Sequence, residues 1–255
     1  MIDTHTHLYI DRFEEDRDEV IQRAIAAGVE KFYLPNIDSQ HIDSLLALET
    51  AYPNRCFAMM GLHPCSVKEN WKEELATVAS WLKKRSFVGI GEIGIDLYWD
   101  KTFFVQQQAA FRQQIEWAKQ YDIPIIIHSR NSTQEVIDIL REMKDDKLRG
   151  IFHCFGGSVD EANAITALGF YLGIGGVLTF KKSGLAETMA QVDLKHIVLE
   201  TDAPYLTPAP FRSKRNESAH IKLIAEKLAS VKEIKVDEVA EVTTRNAQTI
   251  FGKKE

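Results

Sequence analysis

The chain has 255 residues, 45% of them hydrophobic and 27% charged, with 31 basic against 37 acidic side chains and a formal net charge of −6. This balance excludes a disordered or fibrous chain. The negative total excludes a global attraction for nucleic-acid backbones, so any such contact has to come from a local basic patch.

The length suits one large α/β domain covering residues 1–255. The opening MIDTHTHLYI has no basic stretch followed by an apolar one, and no apolar run approaches the roughly 18 residues of a membrane span, so a cytoplasmic protein is expected. Cys56, Cys65 and Cys154 are an odd number without a CxxC pair, which predicts buried free thiols in a reducing compartment.

In chain order, short β-branched or apolar runs at 1–6, 31–35, 56–60, 87–91, 123–127, 150–154, 170–174 and 196–200 predict eight strands. Between them the apolar period becomes helical. Over 71–84 it places Leu75, Val78, Ala79 and Leu82 on one face, and over 104–120 Phe104, Phe111, Ile115 and Ala118. Asp38 and Asn131 precede helical stretches and are candidate caps, while Gly28 and Gly169 stand where helices hand over to strands. Repeated alternation of this kind predicts a (β/α)₈ TIM barrel. Residues 202–216 carry three prolines and little periodicity, so they read as a long loop after the eighth strand. The pattern from Val236 to Phe251 predicts an extra C-terminal helix on the outside of the barrel.

His5 and His7 are spaced so that both imidazoles point the same way from an extended chain and reach one ion. Polar residues then recur where strands end: His63 after the third, Glu92 after the fourth, His128 after the fifth, His153 within the sixth and Asp202 after the eighth. Any one alone reads as a satisfied core histidine or a surface carboxylate. Their recurrence at the face where barrel enzymes gather reactive groups argues for a metal site. Only a carboxylate readily bridges two ions, and Glu92 is the plausible bridge, its neighbours Gly89, Gly91 and Gly94 allowing close backbone approach or simply packing. Cys154, adjacent to His153, should point to the opposite face, toward the surrounding helices. Tyr98 and Trp99 are expected either to stack on a base or to pack their own loop. Arg212, Lys214 and Arg215 form one candidate basic patch and Arg130 another; Lys181 and Lys182 read as a solvated face.

The segments IDTHTHL, GLHP, GEIGIDLYW, IIIHSR, FHCFGG, LETDAPYLTP and TTRNAQTIFG, in this order along the chain, resemble the TatD family of metal-dependent deoxyribonucleases. The resemblance implies two divalent ions, Mg, Mn or Zn, with His5, His7 and Asp202 holding one, His128 and His153 the other, and Glu92 bridging both. It also implies that His63 and Arg130 lie near the substrate phosphate and that Asp96 and Glu200 support the ligands. Two segments depart from the family's pattern. Residues 210–218 read PFRSKRNES where a glycine-containing basic segment and Asn-Glu-Pro are usual, and Asn131-Ser132 stands where an acidic residue and alanine are more frequent.

The expected activity is hydrolysis of DNA phosphodiester bonds, 3′ to 5′ from the end of a single strand, without a covalent intermediate. In this scheme Asp202 orients the attacking water or takes its proton, while Arg130 and His63 offset charge on the phosphoryl group. RNA is a second possible substrate, and a monomer without membrane attachment is expected. Because imidazole ligands must be deprotonated, activity should fall as pH drops through the imidazole range. Two other functions keep the same residues: hydrolysis of a small phosphoester, lactone or amide, and a non-catalytic metal-binding scaffold or quality-control protein, whose signature would be a broken ligand set.

Overall fold

The computed structural model describes residues 1–252. Eight short strands alternate with helices: β1 (Ile2–Asp3), α1 (Arg17–Ala26), β2 (Lys31–Pro35), α2 (Ile42–Ala51), β3 (Cys56–Met59), α3 (Trp71–Lys84), β4 (Ile90–Asp96), α4 (Phe104–Tyr121), β5 (Ile125–Arg130), α5 (Thr133–Glu142), β6 (Gly150–Phe152), α6 (Val159–Ala167), β7 (Tyr171–Ile174), α7 (Leu185–Gln191) and β8 (Ile197–Leu199). Two helices follow, α8 (Ile221–Lys232) and α9 (Val236–Phe251).

All strand pairs are parallel and in chain order, as two runs, β1-β2-β3 and β4-β5-β6-β7-β8. One seam between the runs carries a parallel bridge from Met60 to Ile90. Across the other, Leu199 O accepts from Thr4 N and Thr4 Oγ1 at 3.1 and 3.0 Å, and His5 O accepts from Asp202 N at 2.9 Å. The fold is the α/β barrel that the alternation predicts. Gly28 and Gly169, both at positive φ (91° and 86°), make the helix-to-strand turns expected of them.

Strand ends differ from the sequence reading in ways that matter for the site. The fourth strand starts at Ile90 and runs on through Gly91, Glu92 and Gly94 to Asp96, although glycine is depleted in strands. The reason is close approach: a Cβ at Gly94, whose φ is +141°, would collide with the His128 carbonyl on β5. Glu92 therefore lies within β4, His128 lies within β5, and His153 stands just after β6. Regular pairing of β1 stops at Asp3, yet Thr6 N bonds Tyr33 O at 3.1 Å and His7 N bonds Ala203 O at 2.8 Å, so the following residues are held between their two neighbours.

The apolar core has two parts. A large cluster fills the layer between strands and helices, including Phe32, Phe111, Ile115 and Leu140. A small cluster inside the barrel contains Ile2, Tyr33, Met59, Ile126, Ile151 and Val198. Ile126, Ile151 and Val198 share strand faces with His128, His153 and Glu200, so an apolar layer lies directly beneath the polar one. The C-terminal helix α9 contributes Ala247, Ile250 and Phe251 to this inner cluster, with Phe251 stacked on Tyr33 at 3.7 Å. It is not simply an outer helix, because its apolar face meets the barrel interior at the end away from the histidines.

The expected caps divide. Asp38 accepts from Gln40 N at 3.1 Å and opens the turn into α2. Asn131, at a φ of +54°, does not cap α5; Ser132 takes the cap position, and its hydroxyl donates to Ile95 O at 2.6 Å instead. No helix among the described residues is long and apolar enough to cross a membrane.

Candidate metal centre

At the C-terminal ends of the strands a cavity of about 740 Å³ is bordered by His7, His63, Glu92, His128, His153 and Asp202. Glu92 is at its centre, with five imidazoles around one carboxylate. Its Oε2 lies 3.2 Å from His5 Nε2 and 3.6 Å from His7 Nε2. Its Oε1 lies 2.9 Å from His128 Nδ1, 3.2 Å from His63 Nε2 and 3.4 Å from His153 Nε2. The two oxygens thus serve two different sets of imidazoles, which is what a bridging carboxylate requires. Asp202 Oδ1 completes the first set, 3.5 Å from His7 Nε2 and 3.8 Å from His5 Nε2.

These groups fit divalent ions. His5, His7 and Glu92 bring ligand atoms within 4.8 Å of one another, as do His63, Glu92 and His128, and also His5, His153 and Asp202. All are imidazole nitrogens or carboxylate oxygens, the donors of borderline and hard divalent ions. One detail differs from the division that the family resemblance implies. His63, expected to face the substrate, groups with His128, while His153 stacks on His5 with ring centroids 3.5 Å apart.

Further carboxylates hold the histidines. Asp96 Oδ2 lies 2.8 Å from His128 Nε2, while its Oδ1 accepts from the Tyr98 and Trp99 amides at 2.9 and 3.0 Å. Glu200 Oε1 lies 3.0 Å from His153 Nδ1 and accepts from Cys154 N at 2.6 Å. Each acid thus contacts one of the candidate ligands, Asp96 meeting His128 and Glu200 meeting His153. Since such partners fix ring orientation and basicity, Asp96→Asn should weaken metal affinity by about 10–100-fold without unfolding the protein. Chelator competition measures it, and unchanged affinity would mean that packing alone orients His128.

Charge in the cluster follows from these contacts. Burial works against an ionised Glu92, but His63, His153 and His5 outweigh it and hold the carboxyl well below its usual range. Burial also opposes a charged His7, and Asp202 and Glu92 overcome it, raising the imidazole to about 9. At His153 burial is outweighed by Glu200 and Glu92, and the value rises to about 10. His5 goes the other way, lowered by burial and by His153. Without metal, two of the imidazoles keep protons where ligands are needed.

Cys154 corrects an expectation. The sixth strand ends at Phe152, so strand alternation no longer applies, and Cys154, at a φ of +48°, borders the cavity rather than facing the helices. Cys65 borders it too. Both are half-buried and free, so only Cys56 is the buried thiol expected of all three. Burial and the neighbouring Asp202 and Glu200 push the Cys154 thiol well above its usual range, which disfavours the thiolate in the metal-free protein.

The mouth is built from loops. The Arg130 guanidinium lies 3.7 Å from the Tyr98 ring centroid and 5.2 Å from that of Trp99. Tyr98 and Trp99 are 51% and 69% exposed and meet edge to face with ring centroids 4.8 Å apart, Trp99 bordering the cavity. Across the cavity Arg12 lies 5.6 Å over Tyr205. The expected Arg212–Arg215 patch is split: Arg215 binds Asp16 Oδ2 and Arg12 O, each at 2.6 Å, and so acts as a structural tie.

Sequence reasoning missed Arg12 and Tyr205, and two buried anchors. Asp3 Oδ2 accepts from Thr201 Oγ1 at 2.6 Å and its Oδ1 from Thr201 N at 3.0 Å, joining the His5 and Asp202 segments. An acid two residues before His5, at the end of β1, was the available signal. Asn216 Nδ2 donates to Thr201 O at 2.7 Å and Tyr205 O at 2.6 Å, while its Oδ1 accepts from Glu217 N at 2.9 Å. No periodicity marks it. Asn216→Ala leaves these buried groups unpaired and should cost about 1–3 kcal/mol, measured by urea unfolding; an unchanged midpoint would mean that the loop is held elsewhere.

The family model described as "TatD related DNase" matches residues 2–252. The chain belongs to the TatD family. Within it, the uncharacterized metal-dependent hydrolase YabD of Bacillus subtilis is 38% identical over 252 residues, covering 98% of both chains. The 3′-5′ ssDNA/RNA exonuclease TatD of Erwinia tasmaniensis is 30% identical over 258 residues, covering 99% of this chain and 100% of the relative. The crystal structure of the TatD homologue YjjV from Escherichia coli superposes with a TM-score of 0.93 at 30% identity, over 100% of this chain and 98% of that one. Membership of this family makes the chain a metal-dependent hydrolase.

Proposed function

We propose that the chain acts as one hydrolase domain that cleaves phosphodiester bonds of single-stranded DNA from the 3′ end, with RNA as a second substrate. The observation that carries this reading is the shared carboxylate of Glu92 in a cavity that Arg130 and Trp99 also border. The Erwinia relative named as a 3′-5′ ssDNA/RNA exonuclease supports the same substrate.

His5, His7 and Asp202 would hold one divalent ion, His128 and His153 with His63 close by the second, and Glu92 both. Such ions, Mg, Mn or Zn, supply Lewis acidity and a water acidified toward neutrality. The chain's residues do the rest. Asp202, held ionised because His7, His153 and His5 outweigh its burial, orients the water and takes its proton at the carboxylate. Arg130 and His63 offset charge on the phosphoryl oxygens, and Asp96 and Glu200 keep His128 and His153 turned inward. The protein would work as a monomer in the cytoplasm, free of membranes.

End-labelled single-stranded DNA, incubated with metal-stripped protein and then Mg, Mn or Zn, tests the reading. Stepwise loss of the label on adding metal supports it; internal cuts on circular single strands would remove the exonuclease assignment. Trp99→Ala should raise KM for DNA by roughly tenfold, the value of one base–aromatic stack, and an unchanged KM would take Trp99 out of substrate binding.

A small phosphoester, lactone or amide is the second reading, favoured by the net charge of −6 and by a cavity of about 740 Å³, large enough for a small molecule. It predicts little salt dependence, whereas contacts to several phosphates predict a steep one. The intact set of ligands argues against a non-catalytic scaffold.

A further inference from the structure

We propose that a second recess, beside the metal centre and lined by Lys181, Lys182 and Arg212, binds a backbone phosphate of the nucleic-acid strand away from the scissile one. This rests on the nuclease reading above and extends it to a substrate held at more than one phosphate.

The recess, about 530 Å³, is also bordered by Thr179, Phe180 and Ala209, and no acidic side chain lines it. Neither lysine nor Arg212 meets a carboxylate among the described residues. Elsewhere in the chain Arg23, Arg112, Arg149 and Arg215 each meet an acid at 2.6 to 2.7 Å. Three cations left without counter-charge in a protein of net charge −6 form a local positive field of the kind that a polyanion neutralises. The sequence alone reads Lys181 and Lys182 as a solvated face; convergence with Arg212, from a separate loop, is what changes that reading.

The recess is also pre-shaped. Ala209 N donates to Thr179 Oγ1 at 2.8 Å, which ties the loop after β8 to the helical turn Gly176–Thr179 after β7. Thr207 Oγ1 donates to Lys214 O at 2.6 Å and closes that loop on itself. The Arg212 guanidinium lies 3.5 Å from the Phe180 ring centroid. A guanidinium pinned by its face keeps its N–H edge free for phosphate oxygens, in a geometry that lysine does not offer.

Position gives the recess its role. Val177 and Leu206 border the main cavity, and Thr179 and Ala209, on the same two segments, border the recess. From Val177 to Thr179 a 3₁₀ turn rises roughly 4 Å. A strand leaving the metal centre over this shared wall passes directly to the three cations, so its next phosphates are the occupants that the geometry favours.

The test compares the parent protein with the Lys181→Ala/Lys182→Ala/Arg212→Ala variant, binding and cleaving labelled oligothymidylate of about ten nucleotides and a thymidine dinucleotide. All three side chains are exposed, and the Lys181→Ala/Lys182→Ala pair, which leaves the Arg212–Phe180 stack in place, controls for misfolding. In metal-free protein, fluorescence anisotropy should show affinity for the longer strand reduced at least tenfold. The slope of log affinity against log salt should be shallower by about two, each cation on a single strand being worth about 0.7. In cleavage, the KM advantage of the longer strand over the dinucleotide should collapse toward one. Equal affinity and equal salt slope in parent and variant would overturn the proposal. Should the parent cleave no DNA, the nuclease reading falls, while the anisotropy comparison still decides whether the recess binds the strand.

Discussion

Glu92→Gln should abolish activity to within about 10⁻³ of the parent and leave the protein unable to retain two divalent ions. The reason is the geometry of one carboxylate among five imidazoles, with Oε2 facing His5 and His7 and Oε1 facing His63, His128 and His153. An amide of the same shape removes the negative charge and replaces one acceptor by a donor pointed at nitrogens that must themselves remain unprotonated to bind metal. Metal content of the purified variant, with circular dichroism as the control for folding, separates this loss from collapse of the site. A folded variant that still carried two ions and cleaved at the parental rate would remove Glu92 from the centre of the site.

The barrel and the six proposed ligands were legible because both depend on period and spacing. Alternating apolar runs place strands, and His and acidic residues recurring where they end mark the candidate ligands, although parity itself does not reach them, β1 ending at Asp3, β8 at Leu199 and Asp202 standing at a φ of +55°. What failed did so where tertiary packing overrides local preference. The fourth strand reads as 87–91 but runs from Ile90 to Asp96, although the close approach expected at its glycines is real, a Cβ at Gly94 meeting the His128 carbonyl. Cys154 was assigned outward by extending a strand beyond Phe152, where the chain already turns. The third imidazole beside Glu92 and His128 belongs to His63, because ring positions depend on the crossing of loops and not on order along the chain. Asn216 was invisible for a related reason: a single buried amide with partners at Thr201 and Tyr205 leaves no pattern in a proline-rich loop.

Loading the metal-free protein at pH 7.5 should release protons, and affinity for metal should keep rising with pH toward the range of 9 to 10. His7 is held at about 9 by Asp202 and Glu92, and His153 at about 10 by Glu200 and Glu92, in each case against the effect of burial. Both lie above the 6.5 of a free imidazole, so the stabilisation they give the metal-free fold is complete below about pH 6.5. It is lost as pH rises through their folded values. Chelator-treated protein should therefore be less stable at pH 10 than at pH 6.5, its unfolding free energy lower by on the order of a few kcal/mol, less whatever His5, shifted the opposite way, gives back. A bound ion takes over from these protons, so metal-loaded protein should lose much less over the same interval. Below neutrality the competition reverses, and activity should fall as protons displace metal. Titration calorimetry in buffers of different ionisation enthalpy counts the protons directly. Heats that are the same in every buffer would mean that His7 and His153 are already neutral before metal arrives, and that the carboxylates around them do not act as described.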